Sequence, residues 1–229
     1  MSDISLKEMA AHAVHYGHPT FKWNPKMKPY IFGSRFGIHI FDLHKTAECL
    51  KEALDFLADS AQKGKQILFV GTKQQCRKPL QDIKAETNMP IVTDKWIPGL
   101  LTNYKTIKGR IDYFKQLKES DRRGDLSKYT KKEQVKLRKK IQDLSISLSG
   151  VENMTSVPDV VFVTDIVRDI ISVKEAKRLR IPVVAIVDSN ADPDLADYVI
   201  PANDDAIKSL TYILEMVKEA VAGNKKAKK

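Results

Sequence analysis

Between Thr46 and Lys63 the apolar residues Ala47, Leu50, Ala53, Leu54, Leu57, Ala58 and Ala61 recur three or four apart. That is one face of an amphipathic helix, and Gly64 closes it. The pattern then changes to a solid apolar strand over Gln66–Val70, followed by Gly71-Thr72-Lys73 and a helical stretch from Gln74 to Thr87. Short Val/Ile-rich runs return at Pro90–Thr93, Val160–Val163, Val183–Val187 and Tyr198–Ile200, with helical stretches at Ile170–Leu179 and Ala206–Val221. Strands without polar alternation, separated by helices, predict a parallel sheet covered on both faces. The economical fold class is α/β, a flavodoxin-like three-layer sandwich with right-handed crossovers.

Between Lys105 and Met154 the periodicity lengthens. Ile107, Ile111, Phe114 and Leu117 form one seam, and Leu137, Ile141, Leu144, Leu148 and Val151 form another. Ser120–Thr130, with Gly124, is a polar turn between them. Spacings of three and four with charged outer positions predict an inserted antiparallel coiled-coil helical hairpin. Packing of both helices on the main domain is the competing reading. The domain plan is therefore an α/β body over 1–104 and 155–223, an arm over 105–154 and a basic tail over 224–229.

The N-terminal part follows different rules. Ser5 and Glu8 have the spacing of a capping box ahead of a short helix ending near Gly17. The stretch 15–45 then holds Pro19, Pro25 and Pro29, which exclude a regular helix between His18 and Pro29. Tyr30–Phe32 and Ile38–Leu43 around Gly33–Gly37 predict a hairpin, with His39 facing away from Ile38 and Ile40. Lys22, Lys26 and Lys28 alternate with Phe21, Trp23 and Tyr30. Cations and flat rings on a stiff loop suit phosphates, riboses and unstacked bases. Phe21 and Trp23 would equally serve as plugs at the domain edge.

Charge sharpens this picture. The 229 residues carry a formal net charge of +10. Fourteen cations face five anions between Lys105 and Lys140, and Lys225, Lys226, Lys228 and Lys229 add more, so the rest is slightly acidic. A near-neutral body with basic protrusions points to docking on a polyanion at separated points. The residues expected to meet RNA are Lys22, Trp23, Asn24, Lys26, Lys28 and Arg35, with Asn103, Tyr104, Lys105, Lys108 and Arg110. The loop Gly99–Lys105 is expected to offer its amides and hydroxyl as well. No apolar run approaches the ~20 residues of a membrane span. The N-terminus resembles neither a secretory nor a transit segment, and Cys49 and Cys76 read as reduced core thiols in a cytoplasmic protein.

Catalytic chemistry finds little support. Gly71-Thr72-Lys73 follows a strand as a phosphate loop would, yet lacks both glycine-rich fingerprints. No nucleophile has a recognisable base. His12, His15 and His18 step by three without a completing ligand. A divalent cation held by His18, Asp188, Asp192, Asp204 and Asp205 is a minority reading against ordinary turn and cap chemistry, in which Asn203 or Asp204 caps the last helix. A flavodoxin-like nucleotide- or metal-dependent enzyme, and a protein drawn to membranes by its lysines, are the rival classes.

The stretch HPTFKWNPKMKPYIFGSRFGIHIFDLHKT, with ILFVGTK, WIPGLLTNYKTIK, PDVVFVTD and EAKRLRIPVVAIVDSNADPDLADYVIPANDDAIKSL, resembles the bacterial ribosomal protein S2 family in order along nearly the whole chain. Two positions depart from it: Pro98 stands where a glycine pair is usual, and Asp169 where a glutamate often appears. The resemblance implies a structural component of the small ribosomal subunit, cytoplasmic and without a cofactor, and not a homo-oligomer. It also implies partners: small-subunit ribosomal RNA, neighbouring proteins, and the large mRNA-binding protein that it helps to recruit.

Overall fold

The computed structural model describes residues 4–223. The lysine tail at 224–229 lies outside them. Five parallel strands form the central sheet: β4 (Ile67–Val70), β5 (Ile91–Val92), β6 (Val160–Val163), β7 (Val183–Val187) and β8 (Tyr198–Pro201), in the order β5-β4-β6-β7-β8. Alternate residues of each strand enter two separate cores. Ile67, Phe69, Val160, Phe162, Val184 and Ile186 pack under α2 (Leu43–Gln62), α3 (Arg77–Thr87) and α7 (Ile207–Ala222). Leu68, Val70, Val161, Val163, Val183 and Ala185 pack beneath α6 (Ile170–Arg178). Both faces being covered is why these strands show no polar alternation. The three-layer α/β expectation holds.

The edge strand β5 is only two residues long. Its outer side is closed by the backbone at Gly150, whose carbonyl accepts a hydrogen bond from Ile91 N at 3.1 Å. A side chain at 150 would overlap the Ile91 carbonyl oxygen.

Helix α4 (Tyr104–Arg122) and α5 (Lys131–Leu148) pack against one another as a hairpin. Thr130 and Glu133 form a reciprocal capping box at the start of α5, and Gly124 takes a left-handed turn at φ 80°. Ile107, Ile111, Phe114 and Leu148 belong to the core beneath α6, with Ile141 and Leu144 against it. Leu117 and Leu137 are half-buried and do not belong to that core. The proximal half is thus rooted in the body, which the competing packing reading anticipated.

Local departures from the expected pattern have local causes. Helix α2 starts at Leu43 because the Asp42 side chain accepts from His44 N at 3.0 Å. Helix α1 (Leu6–Ala11) stops well before Gly17, and Ser5 makes no side-chain cap. Ala13 turns left-handed at φ 60°, and the chain enters β1 (Tyr16–Pro19). That strand was not predicted, since a short segment with Gly and Pro demotes itself as a strand. It pairs with β3 (Ile38–Phe41), which pairs with β2 (Ile31–Arg35), in the order β1-β3-β2. The hairpin turn is tighter than expected: Phe36 (φ 51°) and Gly37 (φ 75°) alone make it. His39 does point away from its neighbours, and the side it faces is the buried one.

Helix α6 ends in a Schellman motif. Arg180 N donates to Lys177 O and Ile181 N to Ala176 O, both at 3.0 Å. The left-handed residue of this motif is ordinarily glycine, but here Arg180 holds φ 58°. A side chain in that region costs roughly 1–2 kcal/mol.

Candidate nucleic-acid interface

The proline-rich loop folds as two short turns, Thr20–Lys22 and Pro25–Tyr30, lying over the loop that follows β7. His18 N donates to Ser189 Oγ at 2.8 Å, and Asn24 N donates to Ser189 O at 2.7 Å. Asn24 Oδ1 accepts from Lys26 N at 3.0 Å, which starts the second turn. Lys26 Nζ pairs with Asp192 at 2.8 Å and Asp194 at 2.7 Å. Trp23 sits 5.2 Å from the buried His39 ring. Asn24, Lys26 and Trp23 therefore serve first to fasten the loop. Lys22, Lys28 and Arg35 remain exposed, without an ion-pair partner among the described residues. Lys22 and Arg35 lie over the rings of Phe21 and Phe36.

The second expected segment is organised by a residue that sequence reasoning missed. Glu175, on α6, is buried and points into the loop 96–102. One carboxylate oxygen accepts from Trp96 Nε1 (3.0 Å) and Gly99 N (2.8 Å). The other accepts from Leu101 N (3.0 Å), Thr102 N (3.1 Å) and Thr102 Oγ1 (3.1 Å). Burial pushes this carboxyl up, and those donors outweigh it, leaving its pKa below the ordinary value. The amides and hydroxyl expected to face RNA are thus spent inside the protein, a correction to the sequence reading. Tyr104 also turns inward, its hydroxyl donating to Met154 O at 2.9 Å. Asn103, Lys105, Lys108 and Arg110 stay exposed along the first turns of α4.

At the carboxyl ends of β4, β6 and β7 a polar crevice forms. His18 Nδ1 lies 3.0 Å from Asp188, and His18, Asp188 and Asp204 converge within 4.8 Å. Asp205 flanks the histidine at 3.4 Å. Asp192, the remaining residue of the expected cation set, is instead engaged with Lys26. Asn203 Oδ1, not Asp204, caps the segment before α7, accepting from Asp205 N and Ala206 N at 2.8 and 2.9 Å. Lys73 Nζ enters the crevice, contacting Asp165 (2.9 Å), Asp204 (2.8 Å) and Asp205 (2.7 Å). Burial works against the charge on Lys73, but these carboxylates win and raise its pKa.

The phosphate-loop reading fails on the same contacts. Thr72 N and Oγ1 both donate to Asp169, at 3.1 and 2.9 Å. A Cβ on Gly71 would stand 2.6 Å from Thr164 Oγ1. The strand–helix turn is packed, and its lysine is neutralised from within.

Burial, then repulsion from Asp188 and Asp165, lifts Asp204 to about 7, and the hydrogen bond to Asp188 raises His18. Both groups hold protons more tightly folded than unfolded. Their stabilisation is complete below the unfolded pKa and is lost as pH rises through the folded one. The urea midpoint should therefore decline between pH 5 and pH 8, less steeply in His18→Ala. A midpoint that stays level over that span would contradict the assignment.

Two exposed rings escaped the sequence reading. Phe32 is 80% and Phe36 91% exposed on the hairpin. Phe32 borders a groove of about 330 Å³ with Ala10, His15, Ile40, Leu43 and His44. The alternation Ile31-Phe32-Gly33 placed Phe32 opposite Ile31, and that was the available signal.

A family model described as "Ribosomal protein S2" matches residues 9–223. The chain is 45% identical over 228 residues to "Small ribosomal subunit protein uS2" of Petrotoga mobilis, covering all of this chain and 79% of the relative. It is 47% identical over 221 residues to the protein of the same name in Geotalea uraniireducens, covering 96% and 86%. A third, from Maridesulfovibrio salexigens, is 43% identical over 220 residues, covering 96% and 85%.

Proposed function

This chain belongs to the ribosomal protein S2 family, and we propose that it seats on small-subunit ribosomal RNA through its hairpin and the root of its helical arm. It is a structural protein of the small ribosomal subunit, not an enzyme. The observation that carries the RNA reading is the division of its cations. Lys73 and Lys26 are held by internal carboxylates, whereas Lys22, Lys28, Arg35, Lys105, Lys108 and Arg110 are exposed with no ion pair among the described residues. Charges left bare on a body rich in internal pairing suit phosphate neutralisation. The α/β body acts as the rigid platform. The distal arm, a coiled-coil lever over part of 105–154, carries further positive charge towards RNA or a neighbouring protein.

The test is Lys22→Ala/Lys28→Ala/Arg35→Ala together. The log–log salt slope of binding to a small-subunit rRNA transcript should shrink by about two to three. Unchanged slope and unchanged incorporation into subunits would remove the assignment. Lys26→Ala should change the slope little, because its charge is already shared with Asp192 and Asp194.

Recruitment of the large mRNA-binding protein belongs to the same reading, and the exposed Phe32 with the groove it borders, and the exposed Phe36, support it. Phe36, an aromatic residue at positive φ and 91% exposed, gains little from burial. Phe32→Ser should deplete that protein from purified subunits while leaving the salt slope of rRNA binding, set by Lys22, Lys28 and Arg35, as in wild type. A specific observation favours one further component: the convergence of His18, Asp188 and Asp204 offers nitrogen and oxygen donors to a divalent cation, in competition with Lys73. Stoichiometric metal in the purified protein, lost in His18→Ala, would establish it, and metal-free protein would remove it.

A further inference from the structure

At the opposite, amino-terminal edge of the sheet, a cleft of about 490 Å³ is lined by Phe56, Lys177, Arg180, Ile181, Asp197 and Tyr198. None of these residues belongs to the surfaces described above. Arg180 is the odd member. Its backbone occupies the left-handed position that a Schellman motif reserves for glycine, so the local fold disfavours any side chain there. The side chain recovers nothing inside the molecule: it is exposed, with no hydrogen bond or ion pair among the described residues. The Asp197 carboxylate, which also lines the cleft, accepts from Val183 N at 2.8 Å. Lys177 stands beside Arg180, its ammonium donating to the Asp194 carbonyl and meeting no carboxylate among the described residues. Across the cleft the Tyr198 and Phe56 rings stack at 4.2 Å and 18°.

A guanidinium held without an internal partner, an ammonium and a stacked aromatic pair provide two kinds of recognition at once. The cations suit a phosphodiester, and the ring pair offers a platform for a planar base. We infer that this cleft is a second RNA contact, taking an unpaired nucleotide with its phosphate on Arg180 and Lys177 and its base against Tyr198. This rests on the protein being an RNA-binding ribosomal component, and adds a docking point at the amino-terminal ends of β7 and β8.

Arg180→Gly separates stability from binding, because glycine is the residue the turn prefers. The variant should melt about 2–4 °C higher. Its affinity for a small-subunit rRNA transcript should fall roughly three- to tenfold, with the salt slope smaller by about one. Tyr198→Leu, compared on the transcript and on inorganic polyphosphate, isolates the stacking: binding should weaken on RNA and hold on polyphosphate. An Arg180→Gly protein that melts higher yet binds the transcript with unchanged affinity and slope overturns the inference. Equal behaviour of Tyr198→Leu and wild type on RNA removes the base platform. If wild type itself ignored the transcript, the broader RNA reading would fail first, which keeps the two failures distinct.

Discussion

Glu175→Ala should lower the unfolding free energy by about 4 kcal/mol, among the largest losses available from one side chain. An ionised carboxylate buried without a cation carries a desolvation cost of several kcal/mol. Here that cost is offset by five donors: Trp96 Nε1, three backbone amides and the Thr102 hydroxyl. Hydrogen bonds to a charged acceptor contribute about 1.5–3 kcal/mol each, and a buried donor left unmatched loses about 1–3. Removing the acceptor strands Trp96 and Leu101, both buried, at the root of α4. Glu175→Gln should recover only part of the loss, because its amide nitrogen would face donors. Since this carboxyl is depressed in the fold, its contribution is present above the ordinary value near 4.5 and disappears as pH falls through the lower folded one. Urea unfolding gives the magnitude, and amide exchange at 99–102 gives the location. A loss below about 1 kcal/mol with unaltered exchange would mean the nest holds nothing in place.

Gly150→Ala should cost about 3 kcal/mol, a large effect for one methyl group. The added carbon would overlap the Ile91 carbonyl, which is backbone and cannot rotate aside. Relief requires separating the segment after α5 from β5, which also breaks the Ile91 N to Gly150 O bond at 3.1 Å. Gly109→Ala is the control of opposite sign. A Cβ there meets nothing within 4 Å on α4, so the helix should gain about 0.5–1 kcal/mol. Thermal denaturation of both variants decides the matter: equal shifts would show that the contact at Ile91 is not the determinant.

The degree to which the site could be read in advance differed by residue. Lys22, Lys28 and Arg35 stay exposed and without an ion pair among the described residues, as expected of cations set among prolines and rings. Lys26 has the same local sequence context, yet Asp192 and Asp194 claim it. Thr102 and the amides around it looked available because the acceptor that takes them lies 73 residues away on another helix. Lys73 lacks the glycine fingerprints of a phosphate loop, but only the structure shows what it does instead: three carboxylates from later loops enclose it. Strand β1 was invisible because its support, pairing with β3 and the bond from His18 N to Ser189, comes from residues distant in sequence.

Periodicity by itself determined the layered α/β body and the pair of helices α4 and α5, and composition the basic character of 105–140. These follow from short-range rules: which faces must leave water, and where proline and glycine break the chain. Tertiary structure alone decided which charges are spent and which remain bare. Ion pairs and hydrogen bonds over long separations depend on where loops meet after the sheet forms, and no spacing along the chain encodes that meeting.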